Sequence, residues 1–535
     1  MKQLMHSSAM LSTVSSLCRQ SLGRRRGVLL LQTCRVTGTQ NRTRAGAAAG
    51  VVEGEKKLKT FDDLPGPSML QNLYWFFLRG YILHTHQLQL IYKKRYGPLY
   101  KSVLGKFKMI NVAAPEILEI MLRQEGKHPQ RNVYESDLWK AHRDKRKIAY
   151  GPFTQYGHKW HSLRTVLNKR MLKPADAKSY AGSINLIVSD FMDRLQNSRK
   201  ESPSGDMVYD VANELYKYAF EGISYIVFET RIGCLDKQTP PETQKFINSI
   251  CQMFKNSVYV TYLPVWTRRF LPFWDLYLEG WDNIFEFGRK MVDKKMQEIQ
   301  SRLEKGEEIE GEYLTYLLSS GQLTNDEVYG SVCELLLAGV DTTSNTLSWS
   351  LYHLARDPEL QQSLYEEVIK AAPMDRIPTA DDIPKMPLLR AVIKETLRLY
   401  PVIPTNARIV NEKEVVIGDY QFPKNSLFVL SHYAISRDEI NFPDPEKFVA
   451  QRWLRDGGMK QHPFSSVPFG YGVRACLGRR IAELEMYLAL SRIIRLFEIR
   501  QDPTGGDIKS IARIVLTPSK PINLQFRERK PGMIR

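Results

Sequence analysis

The longest amphipathic stretch of the chain opens at Thr324-Asn325-Asp326-Glu327, which has the S/T-x-x-E form of a capping box. Apolar positions then recur at helical spacing, with no proline until Asp357-Pro358. The pattern predicts one helix of about 32 residues, about 48 Å long at 1.5 Å per residue, enough to cross a whole domain. Its centre, residues 334–346 (ELLLAGVDTTSNT), carries Asp341, Thr342 and Thr343 in an otherwise buried run. Ala338-Gly339 lets a neighbour approach the helix backbone closely. A buried carboxylate costs several kcal/mol unless it is paired or used. The polar centre is therefore either a working site or a mid-helix kink with Thr bonding back to the preceding turn.

Elsewhere the periodicity predicts a helix over 69–96 and a hairpin over Tyr100–Asn111 around a Gly105 turn. Residues 115–400 are mainly helical. Residues 414–432 read as strands around a Pro-Lys-Asn turn, and 512–527 as a last hairpin with Pro518 and Pro521 in its turn. The length of 535 residues suggests about two to four domains. No linker divides the chain after residue 70, and no repeat or low-complexity tract appears. The expectation is a single domain over 68–535, mainly α with small β-sheets (α+β). A linker over 49–67 precedes it, with the breaker Leu64-Pro65-Gly66-Pro67 as a hinge.

Charge separates the start from the body. Residues 1–52 hold no Asp or Glu but eight basic residues, among them Arg24, Arg25 and Arg26. Without those eight, the formal charge of +18 falls to +10. Residues 1–48 are Arg-rich, Ser/Thr-rich and free of acids, as a mitochondrial presequence is. Their apolar run Val28-Leu29-Leu30-Leu31 is too short for a secretory signal or a membrane span. A basic body suits an acidic partner or an anionic membrane. Nucleic acid is excluded as a partner because no basic motif with base-reading geometry occurs.

Six cysteines show no CxxC spacing, so neither a zinc site nor a disulfide framework is indicated. Cys234, Cys251 and Cys333 are expected to be buried thiols. Cys476 differs, because residues 467–480 read VPFGYGVRACLGRR. A thiolate that ligates iron needs positive charge and hydrogen-bond donors to stay deprotonated. The glycine-rich turn offers backbone N–H groups, and the helix after Cys476 aims its N-terminal dipole at the sulfur. Arg474 is placed to pair with a haem propionate. The Gly470–Ala475 stretch mimics a dinucleotide fingerprint, but no strand precedes it. His142-Arg143-Asp144 mimics a kinase catalytic loop and reads instead as a solvated, charged helix face.

Phe469-x-x-Gly472-x-Arg474-x-Cys476-x-Gly478 resembles the haem-binding signature of the cytochrome P450 family. Ala338-Gly339-x-Asp341-Thr342-Thr343 resembles that family's oxygen-activation site. Glu395-x-x-Arg398 and Pro445-x-x-Phe448-x-x-x-Arg452-Trp453 resemble the parts of its Glu-Arg-Arg network. Trp160-x-x-x-Arg164 and Arg408 match its propionate contacts. Each match alone is weak; their joint order over residues 60–530 is specific. The resemblance implies haem b, a long distal helix above it and the Cys476 ligand loop beneath. It also implies monooxygenation, in which the thiolate favours O–O cleavage. Thr342 then serves oxygen activation while Asp341 feeds protons through water. Glu395, Arg398 and Arg452 form a structural network that locks the Cys476 loop.

A presequence in place of an N-terminal membrane helix is similar to the mitochondrial branch. That branch receives electrons from an acidic ferredoxin served by an NADPH-dependent reductase. Arg390 and Lys394, four apart on one helical face, match its docking pair, and Arg479 and Arg480 add charge beside the Cys476 loop. Residues 263–278 (LPVWTRRFLPFWDLYL) have the composition of a segment lying in a membrane interface, expected on the matrix side of the inner membrane. Stretches such as YGPF (150–153), LPFW (271–274) and SIARIVL (510–516) resemble members that hydroxylate the terminal methyl of sterol side chains, on cholesterol and bile-acid intermediates. Vitamin D hydroxylation or retinoid desaturation on the same scaffold is the alternative. A non-catalytic haem sensor would not need the Asp341-Thr342 pair.

Overall fold

The computed structural model describes residues 58–529, apart from 105–106, 132–133, 310, 456 and 458–459. The presequence, residues 49–57 of the linker and Gly105 lie outside the described residues. Numbered in chain order, the helices of nine or more residues are α1 (Thr85–Tyr96), α2 (Pro115–Arg123), α3 (Tyr134–Arg146), α4 (Gly157–Leu167), α5 (Ala181–Lys200), α6 (Val211–Phe228), α7 (Pro241–Tyr262), α8 (Phe273–Glu304), α9 (Asn325–Arg356), α10 (Pro358–Ala371), α11 (Pro387–Leu399) and α12 (Arg479–Leu496). The strands are β1 (Leu99–Leu104), β2 (Phe107–Val112), β3 (Met207–Val208), β4 (Asn406–Val410), β5 (Val415–Ile417), β6 (Tyr420–Phe422), β7 (Ser426–Leu430), β8 (Phe497–Gln501), β9 (Ser510–Arg513), β10 (Val515–Pro518) and β11 (Leu524–Glu528).

Helix α9 is the axis of the molecule. Its capping box forms as its sequence predicts: the Glu327 N–H donates to Thr324 Oγ1 at 3.3 Å, and the Thr324 N–H to Glu327 Oε2 at 2.9 Å. It runs 32 residues and is buried almost all round, as a helix apolar on most faces must be. Helices α6, α8, α11 and α12 pack around it, and their apolar stripes merge into one core. The sheets are peripheral. One has the order β1-β2-β7-β4, with β2 and β7 parallel; another is β3-β11-β8; β5-β6 and β9-β10 are pairs.

Four readings of the sequence change. The span 69–96 is not one helix: a π turn at Tyr74–Leu78 and a 3-10 turn at Tyr81–Leu83 precede α1, and Gly80 between them takes φ 71°. The C-terminal hairpin is shorter than 512–527. It turns at Ile514 (φ 71°) between β9 and β10, and β11 leaves to pair with β8, Phe526 opposite Ile499. Pro518 ends β10, since it has no N–H for a further ladder bond. His142 and Arg143 are fully buried rather than solvated, because Asp282 and Glu334 meet them there. Cys251 is exposed, on the outer stripe of α7 with Asn248, Lys255 and Tyr259.

Candidate active site

A cavity of about 320 Å³ lies between the middle of α9 and the loop that carries Cys476. Its α9 wall is Leu335, Leu337, Ala338, Gly339, Asp341, Thr342, Thr343 and Thr346. The Thr back-bond expected at the polar centre is present, within a helix that stays continuous over Asn325–Arg356. Thr342 Oγ1 donates back to the Ala338 carbonyl at 2.7 Å, and the same residue lines the cavity. What approaches at Gly339 is Ile223 of α6, whose Cγ1 would lie 2.6 Å from an added Cβ. Asp341 is buried, and its Oδ2 accepts from the Tyr216 hydroxyl at 3.3 Å. Burial pushes the Asp341 carboxyl up to about 7, while the Tyr216 hydrogen bond pulls it down.

Opposite, the Cys476 loop folds on its own backbone. The Cys476 N–H donates to the Phe469 carbonyl at 2.8 Å. Gly470 and Gly472 take φ 71° and 69°, a region in which an L side chain is strained. Gly478 caps α12, so the helix N-terminus points at the loop as expected. Burial raises the Cys476 thiol. The Gly478 N–H, Arg164, Arg131 and Arg479 act against it and favour the thiolate.

Cationic side chains gather at one end of the cavity. Arg131, Arg164 and Arg474 line it. Arg164 NH2 donates to the Ala475 carbonyl at 2.5 Å, Arg131 NH2 to the Arg474 carbonyl at 2.9 Å, and Arg474 stacks over Trp160, 3.6 Å from its ring centroid. Arg408 lies buried beside them, paired with Glu125. Burial, reinforced by the neighbouring guanidiniums, lowers Arg474 to about 8 and Arg131 to about 9. One carboxylate among four guanidiniums leaves positive charge that a dianionic group would neutralise. Trp160 Nε1 is buried with no acceptor among the described residues. An iron porphyrin, whose two propionates would meet the guanidiniums and Trp160 and whose iron would take the Cys476 thiolate, fits this donor set.

The cytochrome P450 family model matches residues 65–526. The chain belongs to the cytochrome P450 family. It is a haem-thiolate monooxygenase, and its cofactor is haem b. The chain is 51% identical over 489 residues to the mitochondrial sterol 26-hydroxylase of Rattus norvegicus, covering 90% of this chain and 91% of that protein. It is 40% identical over 494 residues to the mitochondrial 25-hydroxyvitamin D-1 alpha hydroxylase of Homo sapiens, covering 90% and 96%. The crystal structure of the cytochrome P450DA heme domain superposes with a TM-score of 0.72 at 22% identity, over 89% of this chain and 99% of that one.

The Glu395 network is complete in this cytochrome P450. The Glu395 carboxylate accepts from Arg398 Nε and NH2 at 2.8 and 2.7 Å, Arg452 Nε at 3.0 Å, the Val449 N–H at 2.9 Å and Trp453 Nε1 at 2.8 Å. Arg398 also donates to the carbonyls of Ser436, Pro445 and Lys447, and Arg452 to that of Pro443. The bonds thus fasten residues 436–453, the segment leading into the Cys476 loop, rather than the loop itself. Arg390, Lys394, Arg479 and Arg480 are all exposed. Lys394 feels Arg390 and Arg479 as neighbouring charges, which places three of the four on one surface. Glu483 partners Arg479 at 3.1 Å and Arg480 at 3.8 Å.

Four residues escaped the sequence reading: Arg131, Glu125, Tyr216 and Glu485. Glu485 on α12 is buried in the cavity wall, its Oε1 has no hydrogen-bond partner among the described residues, and burial raises it to about 8. Its spacing of nine residues from Cys476 carried no separate signal.

Proposed function

We propose that the protein hydroxylates the terminal methyl of sterol side chains in mitochondria, using O2 and electrons from an acidic ferredoxin with its NADPH-dependent reductase. The observation that carries this reading is the near full-length identity of 51% to a sterol 26-hydroxylase, against 40% to a vitamin D hydroxylase. The cavity suits it. Phe153, Ile223, Phe254, Leu335, Val402 and Val515 give an apolar wall that excludes water and orients an apolar molecule by shape. On α9, Asp341 and Thr342 stand next to each other in the lining.

Haem, held at Cys476, supplies the activation of O2. Trp160, Arg164, Arg474 and Arg131 would hold its propionates, with Arg408 and Glu125 behind them. Asp341, its carboxyl raised to about 7 by burial, holds and releases a proton near neutrality, and Thr342 Oγ1 passes it on through water toward the reacting oxygen. Glu395, Arg398 and Arg452 keep the approach to the ligand loop rigid. Arg390, Lys394, Arg479 and Arg480 receive the ferredoxin by charge complementarity, which speeds encounter and makes it salt-sensitive.

The mitochondrial site is supported by the acid-free, Arg-rich start and by relatives named mitochondrial. No helix among the described residues is long and apolar enough to cross a membrane. Two exposed apolar segments meet where Phe76 and Tyr262 touch, their ring centroids 5.7 Å apart. Leu70, Phe77 and Leu78 belong to one, and Val265, Trp266 and Phe270 to the other; Leu78 is 79% and Phe270 73% exposed. A patch of this kind marks a contact surface, and we assign it to the matrix face of the inner membrane. Trp266→Ser with Phe270→Ser should release the protein from cardiolipin-containing vesicles on co-sedimentation; undiminished pelleting would remove the assignment.

The test of function is product analysis by mass spectrometry. The mature protein is reconstituted with ferredoxin and reductase and offered cholesterol, a bile-acid sterol triol, vitamin D and retinol in competition. A terminal-methyl sterol alcohol as dominant product is expected. Vitamin D or retinoid products would overturn the substrate while leaving the family in place.

A further inference from the structure

Residues 147–156 join α3 to α4, and Pro152 and Phe153 of this connection stand in the cavity wall. The connection is gripped from two sides. From α9, the Glu334 carboxylate accepts the Phe153 N–H at 2.8 Å and the Thr154 hydroxyl at 2.7 Å. From the propionate end, Arg474 donates to the carbonyls of Pro152 at 3.5 Å and Gln155 at 3.4 Å. Backbone meets helix with no space for side chains: a Cβ on Gly330 would lie 2.6 Å from the Ala149 carbonyl oxygen, and one on Gly151 2.4 Å from Glu334 Oε2.

Glu334 is itself anchored. It pairs with Arg143 at 3.4 Å, and both side chains are fully buried. The Arg143 guanidinium lies 3.9 Å from the Trp281 ring centroid and 4.3 Å from that of Phe285. His142 carries the network on, from Arg143 NH1 at 2.9 Å to Asp282 at 2.9 Å. Arg143 Nε finds no hydrogen-bond partner among the described residues, so the guanidinium is held by Glu334, His142 and the two rings. Glu334 also stands one helical turn before Ala338, the residue whose carbonyl receives the Thr342 hydroxyl. The same helix therefore fixes both the reacting end of the cavity and, through Glu334, the wall that faces the substrate.

We propose that Glu334 is a positioning residue for substrate: it sets the distance of the Pro152–Phe153 wall from the Ala338–Thr342 turn, and so decides which carbon of the bound molecule is presented for hydroxylation. This rests on the monooxygenase reading, and its choice of carbon on the sterol reading. A misplacement of about 1 Å in such a site is worth up to about 100-fold in rate at the displaced atom, so the product distribution is the sensitive quantity.

The experiment uses the holoenzyme carrying Glu334→Gln and, separately, Thr154→Val. The first keeps the shape of the side chain and removes its charge; the second removes one donor at nearly constant volume. Two quantities are read on protein that retains the carbon monoxide difference spectrum of thiolate-ligated haem. One is the ratio of terminal-methyl alcohol to other hydroxylated products. The other is the ratio of affinities for 4-phenylimidazole and imidazole by spectral titration, which probes the wall with no sterol present. Both ratios should move by about tenfold in Glu334→Gln and about threefold in Thr154→Val. A merely structural role would lower haem content and Tm but leave both ratios at their parent values in the surviving holoenzyme; that result overturns the proposal. Where Glu334→Gln fails to hold haem, Thr154→Val decides alone. A shifted imidazole ratio with no sterol product from the parent protein would refute the sterol reading and uphold the positioning role.

Discussion

Replacing Tyr216 by Phe deletes one hydroxyl and leaves the ring in place. That hydroxyl donates to Asp341 Oδ2 at 3.3 Å, between two buried side chains. Burial raises the Asp341 carboxyl to about 7, and the Tyr216 bond is the one influence that lowers it. A hydrogen bond to a charged group is worth about 1.5–3 kcal/mol. The 3.3 Å length points to the lower end. Since one pKa unit corresponds to about 1.4 kcal/mol, Asp341 should rise by about one unit in Tyr216→Phe. The sign follows directly. A carboxyl is protonated below its pKa, so a higher pKa keeps the proton available to higher pH. In the parent protein the share of electrons ending in product should fall as pH rises through about 7; in Tyr216→Phe that fall should come about one pH unit later. The assay is the ratio of sterol alcohol formed to hydrogen peroxide released, across the neutral range. A ratio cancels the pH dependence of ferredoxin docking, which scales both quantities alike. A descending limb that stays in place, or moves to lower pH, refutes the assignment of Asp341 as the proton source.

Thr342→Ala should retain haem and substrate binding yet divert most turnover to hydrogen peroxide, a loss of coupling of about tenfold or more, measured by peroxide and product together; unchanged product yield would sink the role given to its hydroxyl. Arg390→Glu combined with Lys394→Glu should weaken ferredoxin binding by about tenfold or more while the haem spectrum persists, read by titration at low and high salt; unaltered affinity would remove the docking surface. Glu395→Gln leaves the buried Arg398 and the half-buried Arg452 without their carboxylate, a loss of about 3–5 kcal/mol against a typical total of about 5–15. It should appear as lost haem incorporation and a lowered Tm rather than a slower enzyme, and a stable, fully loaded variant would contradict the structural role.

The parts of the site that the sequence displays are those whose partners are close along the chain. The Cys476 loop, the Thr324 capping box and the Glu395-Arg398 pair each lie within a few residues, so spacing alone carries them. The parts it conceals are joined across long separations. Tyr216 meets Asp341 at a separation of 125 residues, Arg143 meets Glu334 at 191, and Arg408 meets Glu125 at 283. His142 and Arg143 show the mechanism of the error. A charged helix is read as solvated because burial of charge is costly, and only the fold reveals the anions that offset it. The strands fared alike: β1 and β2 form a local hairpin and were legible, whereas β4 and β8 exist through pairing with β7 and β11.

Three buried acids around α9 show how the fold assigns different work to one kind of group. Glu395 accepts five hydrogen bonds, from Arg398, Arg452, Trp453 and the Val449 backbone. Glu334 accepts from Phe153, Thr154 and Arg143. Among the described residues, Asp341 has the Tyr216 hydroxyl as its one side-chain donor. Donors hold a carboxylate in place, so an acid with several of them cannot move without breaking its partners. Glu395 and Glu334 therefore suit fixed roles, one holding the approach to the ligand loop and one holding the cavity wall. Asp341, with a single long bond and a carboxyl raised to about 7, can exchange a proton at little cost. The difference lies in the number of donors the fold brings to each, and Asp341, the one with the fewest side-chain donors among the described residues, stands next to Thr342 in the chain.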